Sequence, residues 1–123
     1  MATQDTCCTI VPYFKVNAGK LEEFKARCEK AVAETLKNAD QEKCLYYGFS
    51  FSGDTAHCRE GYASAEGALA HLGNINALLM QLLEVSELTR LEVHGPAEEL
   101  AKMREPMAAL NPEFFTLEYG FRR

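Results

Sequence analysis

The chain has 123 residues, a length that fits one folding unit, so we expect a single domain over residues 1–123. Hydrophobic residues make up 47% and charged residues 25% of the sequence, which is typical of globular proteins and excludes disordered or fibrous chains. The formal net charge of -5 gives no general attraction for phosphate groups, so nucleic acid is not an expected partner.

The sequence also bears on location and on the state of the cysteines. No segment reaches the roughly 20 consecutive apolar residues that cross a bilayer, and residues 1–6 lack the basic and apolar regions of a secretion signal. We therefore expect a cytoplasmic protein with no membrane partner. The cysteines are odd in number and lack C-x-x-C spacing, so reduced thiols are expected at Cys7, Cys8, Cys28, Cys44 and Cys58.

The first half of the chain predicts one helix and three strands. Alternating residues predict a first strand from Cys7 to Val16. Apolar residues at intervals of three and four, from Leu21 to Leu36, predict the first helix. The second strand, Cys44 to Ser52, and the third, Ala56 to Ala63, are separated by a short turn, so they form an antiparallel hairpin.

The second half predicts two helices and two strands. Ser64 is the expected N-cap of a helix that continues to the neighbourhood of Val85, and a fourth strand follows from Leu88 to His94. Gly95-Pro96 then precedes a short helix, and alternation from Phe115 to Phe121 predicts a last strand.

This order predicts an α+β fold, a ferredoxin-like antiparallel sheet with helices on one face and a C-terminal α-β extension. Several strands carry apolar residues on both faces, which a lone chain would leave in contact with water. We therefore expect the sheet face that the helices leave uncovered to be buried against a second copy of the chain, which gives a homodimer.

Two segments carry a family pattern. The segment Val11–Phe24 joins a strand to a Gly-Lys-Leu-Glu-Glu-Phe helix start, and Tyr46-Tyr-Gly-Phe49 is followed by Glu60-Gly-Tyr-Ala-Ser-Ala-Glu-Gly-Ala-Leu-Ala-His71. Both resemble motifs of the antibiotic biosynthesis monooxygenase-like family of the dimeric α/β-barrel superfamily, over roughly Thr9 to Gly95. The resemblance implies two sheets that meet as a barrel, with a pocket between sheet and helices in each subunit.

The resemblance also implies a range of activities. Similar proteins include cofactor-free monooxygenases of aromatic polyketides, haem-degrading enzymes and isomerases, so the fold alone leaves the reaction open. The chain has no tryptophan, whereas the haem-degrading relatives use one in the pocket, so haem oxygenation is not expected.

His71 is the candidate catalytic residue, because it matches the family histidine and imidazole titrates near neutral pH. Asn74 shares its helix face, and the candidate substrate-binding residues are Asn74, Tyr46, Tyr47, Tyr62 and Glu60. The alternatives are that His71 lies on the helix surface or merely hydrogen-bonds a strand end, and that Glu60 forms an ion pair with Arg59 or Lys43. The aromatic residues are expected to form either one apolar pocket wall or an ordinary core and dimer face: Tyr13, Tyr46, Tyr47, Phe49, Phe51 and Tyr62.

The sequence lacks a glycine-rich phosphate loop, a cluster with metal-ligand spacing and a Gly-x-Ser-x-Gly elbow, so neither a cofactor nor a metal is expected. The first hypothesis is a cofactor-independent monooxygenase. His71 removes a proton from a small aromatic or enolic substrate, and the anion reacts directly with dioxygen. Two alternatives stay open: an isomerase that uses the same groups, and a non-catalytic dimer that binds a small apolar or aromatic ligand or serves as an interaction module.

Overall fold

A computed structural model describes residues 5–123 of the chain. Its helices and strands follow in the order β1 (Cys8–Val16), α1 (Leu21–Lys37), α2 (Ala39–Glu42), β2 (Cys44–Ser52), β3 (Thr55–Tyr62), α3 (Ala65–Leu83), β4 (Ser86–Gly95), α4 (Ala97–Met103), a short 3₁₀ helix (Ala108–Leu110) and β5 (Glu113–Thr116). Among the described residues, no helix is both long and apolar enough to cross a bilayer. The prediction that the chain lacks a secretion signal rests on residues 1–6, and residues 1–4 lie outside the described range.

The five strands form one open sheet in the order β2-β3-β1-β4-β5. The first four strands pair antiparallel, whereas β5 runs parallel to β4. The predicted fold class is confirmed: an α+β ferredoxin-like sheet with helices on one face, followed by an α-β extension. The last pair is parallel because α4 carries the chain back along β4 before β5 begins.

Alternation along β1 and β3 decides which side chains meet the helices. Ile10 and Phe14 are buried on the helix-covered face, whereas Lys15 on the opposite face is exposed. The register pairs Ile10 with Glu60 and Phe14 with Ala56, so those β3 residues face the helices as well.

Two apolar clusters fill the space between the sheet and the helices. One surrounds Tyr62 and includes residues of α4, and the other surrounds Phe14 and Phe24. Each cluster reaches the inner face of β1, at Ile10 and at Phe14 respectively. The middle of β1 and β3 therefore lies between them, and the polar side chains described below lie there.

The structure differs from the sequence expectations at two places. The short helix α2 was not predicted, because four residues are too few to show a helical period. The last strand begins at Glu113, before the predicted start at Phe115, and ends at Thr116 instead of Phe121. Thr116 pairs with Gly95, the last residue of β4. One further hydrogen bond, from the Leu117 amide to the Gly95 carbonyl, closes the ladder, and β4 offers no partner beyond it.

Candidate functional site

Three ionisable side chains meet in the interior. The imidazole of His71 lies between two carboxylates, with Nδ1 2.9 Å from Oε1 of Glu42 and Nε2 3.2 Å from Oε1 of Glu60. All three residues are buried, with exposed fractions of 2% for His71, 1% for Glu42 and 4% for Glu60. Buried charges are costly unless they are paired, so these groups depend on one another for their charge state.

Each of these side chains arrives from a different element. Glu60 is on β3 and alternates with Cys58 and Tyr62 towards the helices. His71 is in the second turn of α3, and Glu42 is the last residue of α2. The two helices approach closely at Gly67, where a Cβ atom would overlap the backbone carbonyl oxygen of Glu42. Glycine at this position therefore lets Glu42 reach His71.

Further hydrogen bonds hold the two carboxylates. The Asn74 amide donates to Oε2 of Glu42 at 3.0 Å and to Oε1 of Gln41 at 3.2 Å. The hydroxyl of Tyr62 donates to Oε1 of Glu60 at 2.8 Å. Both carboxylates are thus oriented by neighbours that do not themselves ionise at neutral pH.

Burial raises the pKa of Glu60 above its ordinary value, against the opposing effects of His71 and of the Tyr62 hydroxyl. Burial likewise raises the pKa values of Tyr47, Tyr62 and Cys58, which therefore stay protonated near neutral pH and cannot serve as bases there. The facing atoms of Glu60 and His71 are 3.2 Å apart, a separation at which a carboxyl group and an imidazole can share a proton.

A narrow cavity opens beside this pair, between α3 and the sheet. Its volume is about 40 Å³. The polar side chains in its wall are Glu60, His71, Tyr47 and Cys58. The rest of the wall is apolar: Ile10, Pro12, Phe14, Phe49, Leu72, Ile75, Leu79, Leu82, Leu88, Leu91, Met107 and Leu110.

The structure brings together most of the predicted site residues. His71, Glu60 and Tyr47 line the cavity, while Tyr62 lies behind Glu60 and Asn74 holds Glu42. The rings of Tyr47 and Tyr62 lie 5.3 Å and 5.2 Å from the His71 ring. His71 is buried, so the alternative of a surface histidine is wrong. Glu60 is hydrogen-bonded to Tyr62 and faces His71, and the alternating strand turns Arg59 to the other face.

Tyr46 does not join this group. It pairs with Gly61 across the β2-β3 ladder, on the face of the sheet away from the helices, and its hydroxyl lies 2.9 Å from that of Thr9. Tyr46 and Tyr47 are consecutive strand residues, so they point to opposite faces of the sheet, and Tyr47 shares the helix-covered face with its partner Glu60. Gly61 leaves room for the Tyr46 ring, which a Cβ atom would overlap.

The predicted aromatic wall is divided in the same way. Tyr47 and Phe49 line the cavity and pack edge to face with a ring separation of 5.7 Å. Tyr13 stacks on His57 on the opposite face, and Phe51 lies 38% exposed near the end of β2. One continuous aromatic wall is therefore a wrong prediction, because alternation sends these rings to both sides of the sheet.

Sequence reasoning missed Glu42, the second carboxylate on His71. Glu42 lies 29 positions before His71 and belongs to a helix too short to show a period, so its burial could not be read from spacing. Within residues 5–123, no group of three His, Cys, Asp or Glu side chains is arranged to hold a metal ion. Glu42 and Glu60 contact opposite nitrogens of one ring, an arrangement suited to moving a proton along the line Glu42–His71–Glu60.

Comparison with solved structures identifies related proteins. The chain is 46% identical to MupZ from Pseudomonas fluorescens, with a TM-score of 0.89 over 95% of this chain and 94% of that chain. It also shares its fold with two proteins provisionally named antibiotic biosynthesis monooxygenases. The protein from Caulobacter crescentus CB15 is 21% identical, with a TM-score of 0.63 over 72% of this chain and 88% of its own. The one from Nitrosomonas europaea is 14% identical, with a TM-score of 0.67 over 79% and 96%.

No family model and no curated protein sequence matches the chain. The near full-length similarity to MupZ and the fold shared with the other proteins agree with the motifs at Val11–Phe24 and Glu60–His71. The chain belongs to the same family as MupZ, and its fold is that of the antibiotic biosynthesis monooxygenase-like proteins.

Proposed function

We propose that this protein is an enzyme that transfers protons to and from a small, mainly apolar substrate, with Glu60 as the group that contacts the substrate and His71 as its proton partner. The observation that carries the proposal is the buried line of Glu42, His71 and Glu60 at the wall of an apolar cavity. Perturbed carboxylates in apolar pockets are a frequent feature of acid–base catalysis.

The roles follow from which atoms are free. Both ring nitrogens of His71 face carboxylate oxygens, so the imidazole is fully engaged. Oε1 of Glu60 accepts the Tyr62 hydroxyl and faces His71, and the Cys58 thiol also donates to this carboxylate. We propose that Oε2, which neither Tyr62 nor His71 contacts, meets a substrate in the cavity. The sequence hypothesis made His71 the base; we propose instead that His71 holds the shared proton while Glu60 accepts the substrate proton.

Oxygenation is the finer form of this proposal, and it is supported by family membership and by the names of the Caulobacter and Nitrosomonas proteins. Glu60 removes a proton from an activated CH₂ group, and the carbanion adds to dioxygen. Protonation gives a hydroperoxide, and loss of water leaves a carbonyl group. The sum is CH₂ plus O₂ giving C=O plus H₂O, with dioxygen as the oxidant. Without dioxygen, return of the proton at another carbon is an isomerisation.

The experiment is oxygen consumption with product analysis, on a panel of anthrone-like, dihydroxyaromatic and enolisable aliphatic compounds. Wild type is compared with Glu60→Gln, His71→Asn and the control Glu66→Gln, an exposed glutamate in the first turn of α3. We expect turnover to fall by about 10² to 10⁴ in the first two variants, the range typical of a lost acid–base group. Turnover should be unchanged in the control.

The outcomes separate the alternatives. Oxygen uptake that depends on Glu60 supports the oxygenase. Isomerised product without oxygen uptake supports proton transfer and overturns the oxygenation step. Ligand binding without any turnover supports the non-catalytic alternative and overturns the enzyme proposal.

We also propose that the protein is a homodimer joined through the sheet face opposite the helices. Tyr46 is 41% exposed on that face, and Phe115, which stacks on His94 there, is 39% exposed. The adjoining tail adds Tyr119 and Phe121, exposed by 75% and 86%. Aromatic groups of this kind are enriched in interface cores, so a second copy would remove them from water.

A further inference from the structure

We propose that the substrate reaches Glu60 through a surface groove between α1 and β2, and that the side chain of Tyr47 is the partition that moves aside to admit it. The groove then binds an uncharged, mainly apolar part of the substrate, while the reacting carbon lies at Glu60. This proposal deepens the proposed function and rests on it for the role of Glu60.

The cavity beside Glu60 is too small to bind a substrate by itself. Its volume is about 40 Å³, whereas pockets for small organic ligands have volumes of about 300–1,000 Å³. The aromatic or enolisable compounds that the proposed reaction requires can therefore bind there only if a side chain of the wall moves and adds space. The side chain that can do so is one with open space behind it.

Tyr47 is such a side chain. A groove with a volume of about 190 Å³ lies between α1 and β2, and Tyr47 is the residue that the wall of the groove shares with the wall of the cavity. On the cavity side, the ring of Tyr47 lies 5.3 Å from the ring of His71. Tyr47 therefore separates the groove from the ionisable groups of the site.

The position of Tyr47 in the sheet allows it to move. Its strand, β2, is the outermost strand of the sheet and has only β3 beside it. Tyr47 itself is half-buried, and a change of its χ1 rotamer would carry the ring away from His71 and join the groove to the cavity. Local openings of this kind cost least where a segment has few packed neighbours, as at the edge of a sheet.

The groove wall contains a buried hydroxyl group that can bind an oxygen of a substrate. Thr35 of α1 is 2% exposed and lies in the groove wall, and its hydroxyl group has no hydrogen-bond partner among the described residues. Burial raises the pKa of Tyr47, and the Thr35 side chain beside it opposes that shift. A buried hydroxyl group without a hydrogen bond is costly, and a hydroxyl or carbonyl oxygen of a bound molecule would remove that cost.

The mouth of the groove is apolar and uncharged. Val32, Leu36 and Leu45 are exposed there, and the wall formed by the described residues contains no lysine, arginine, aspartate or glutamate. Grouped apolar side chains on a surface are typical of binding sites. Because the groove continues into the cavity at Tyr47, the occupant that fits it is the substrate of Glu60 and not a second copy of the chain.

The test is the rate at which N-ethylmaleimide, an uncharged ring compound, labels Cys58, measured by mass spectrometry of peptides. Cys58 is buried in the cavity wall, so its labelling reports entry into the cavity. Cys28 is buried in the core outside both the cavity and the groove, so its labelling reports unfolding. All proteins carry Cys44→Ser, because Cys44 lies in the groove wall and its labelling would block the groove.

Val32→Trp fills the groove from its exposed rim, and Ala33→Trp is the matched control, an exposed position of α1 outside the groove. We expect Cys58 labelling to slow by about tenfold in Val32→Trp and to stay unchanged in the control. Tyr47→Ala removes the partition and should speed the labelling by about tenfold, and Tyr47→Leu replaces it if that protein does not fold. Labelling of Cys28 should be the same in all of these proteins.

Equal Cys58 labelling in Val32→Trp and in the protein without it would show that molecules enter elsewhere, and would overturn the proposal. Cys58 labelling that slows as a dimer forms at higher protein concentration would show that a second copy covers the groove, and would also overturn it.

Oxygen consumption by the same variants separates this proposal from the proposed function. If Val32→Trp slows labelling but Glu60→Gln leaves turnover unchanged, the route stands and the reaction is wrong. If turnover requires Glu60 but Val32→Trp changes neither labelling nor turnover, the reaction stands and the route is wrong.

Discussion

Replacement of Glu60 by glutamine should change how stability depends on pH. The substitution keeps the shape of the side chain and an oxygen for the Tyr62 hydroxyl, but it removes the ionisable group. Burial raises the pKa of Glu60 above its ordinary value of 4.5, and His71 and the Tyr62 hydroxyl oppose the shift. Between 4.5 and the raised pKa, the folded state holds a proton on Glu60 that the unfolded state has lost.

The pH dependence of the free energy of unfolding follows from the proton that Glu60 binds in the folded state but not in the unfolded state. The stabilisation from protonated Glu60 is complete below pH 4.5, declines above it and is gone once the pH passes the folded-state pKa. One proton corresponds to a slope of at most about 1.4 kcal/mol per pH unit in the free energy of unfolding. The other ionisable groups around Glu60 are His71, Tyr62, Cys58 and Glu42, and both proteins contain them. Because these groups are coupled to Glu60, the difference in slope reports the change in proton binding of the whole cluster when Glu60 is removed.

Urea unfolding followed by circular dichroism, between about pH 5 and pH 8, measures this slope. Wild type should lose more stability than Glu60→Gln as the pH rises, so the difference in their free energies of unfolding should shift in favour of the variant. Glu66→Gln is the control, since Glu66 is exposed, and its curve should run parallel to that of wild type. Parallel curves for wild type and Glu60→Gln would refute a raised pKa for Glu60.

Three further predictions follow from the same geometry. Glu42→Gln should lower turnover by about 10-fold to 100-fold in steady-state assays, because it weakens the contact that orients His71; an unchanged rate would count against that role. Gly67→Ala should destabilise the fold by about 1–3 kcal/mol in urea titrations because of overlap with the Glu42 carbonyl group. Gly73→Ala in the same helix meets open space and should be neutral or stabilising; equal effects would contradict the packing argument. Gel filtration with light scattering should give twice the mass of the chain, and a monomer at micromolar concentration would exclude the proposed dimer.

Much of the fold could be predicted because it depends on short-range periodicity. Alternation in β1 identified the inner residues Ile10 and Phe14, and the helical period carried His71 into the second turn of α3. The turn at Gly53-Asp54 fixed the β2-β3 hairpin. Each of these sequence patterns involves residues that are close together in the chain, in the same strand, helix or turn that the pattern predicts.

The parts that could not be predicted depend on contacts between distant residues. Glu42 meets His71 only because α2 and α3 approach at Gly67, and nothing in the neighbourhood of Glu42 indicates this contact. Alternation along β2 separates Tyr46 from Tyr47, but which of the two faces the helices depends on the register with β3, where Tyr47 pairs with Glu60. Likewise, the last strand stops at Thr116 because β4 ends at Gly95, and not because its own alternation ends.

The central claim is that Glu60 exchanges protons with a substrate in the cavity. The most direct measurement is the rate of deuterium incorporation from D₂O next to the carbonyl group of butan-2-one, followed by mass spectrometry. We predict exchange by wild type and Glu66→Gln well above the buffer rate, and a rate about 10² to 10⁴ lower for Glu60→Gln. Exchange no faster than in buffer, or equal in wild type and Glu60→Gln, would contradict the claim.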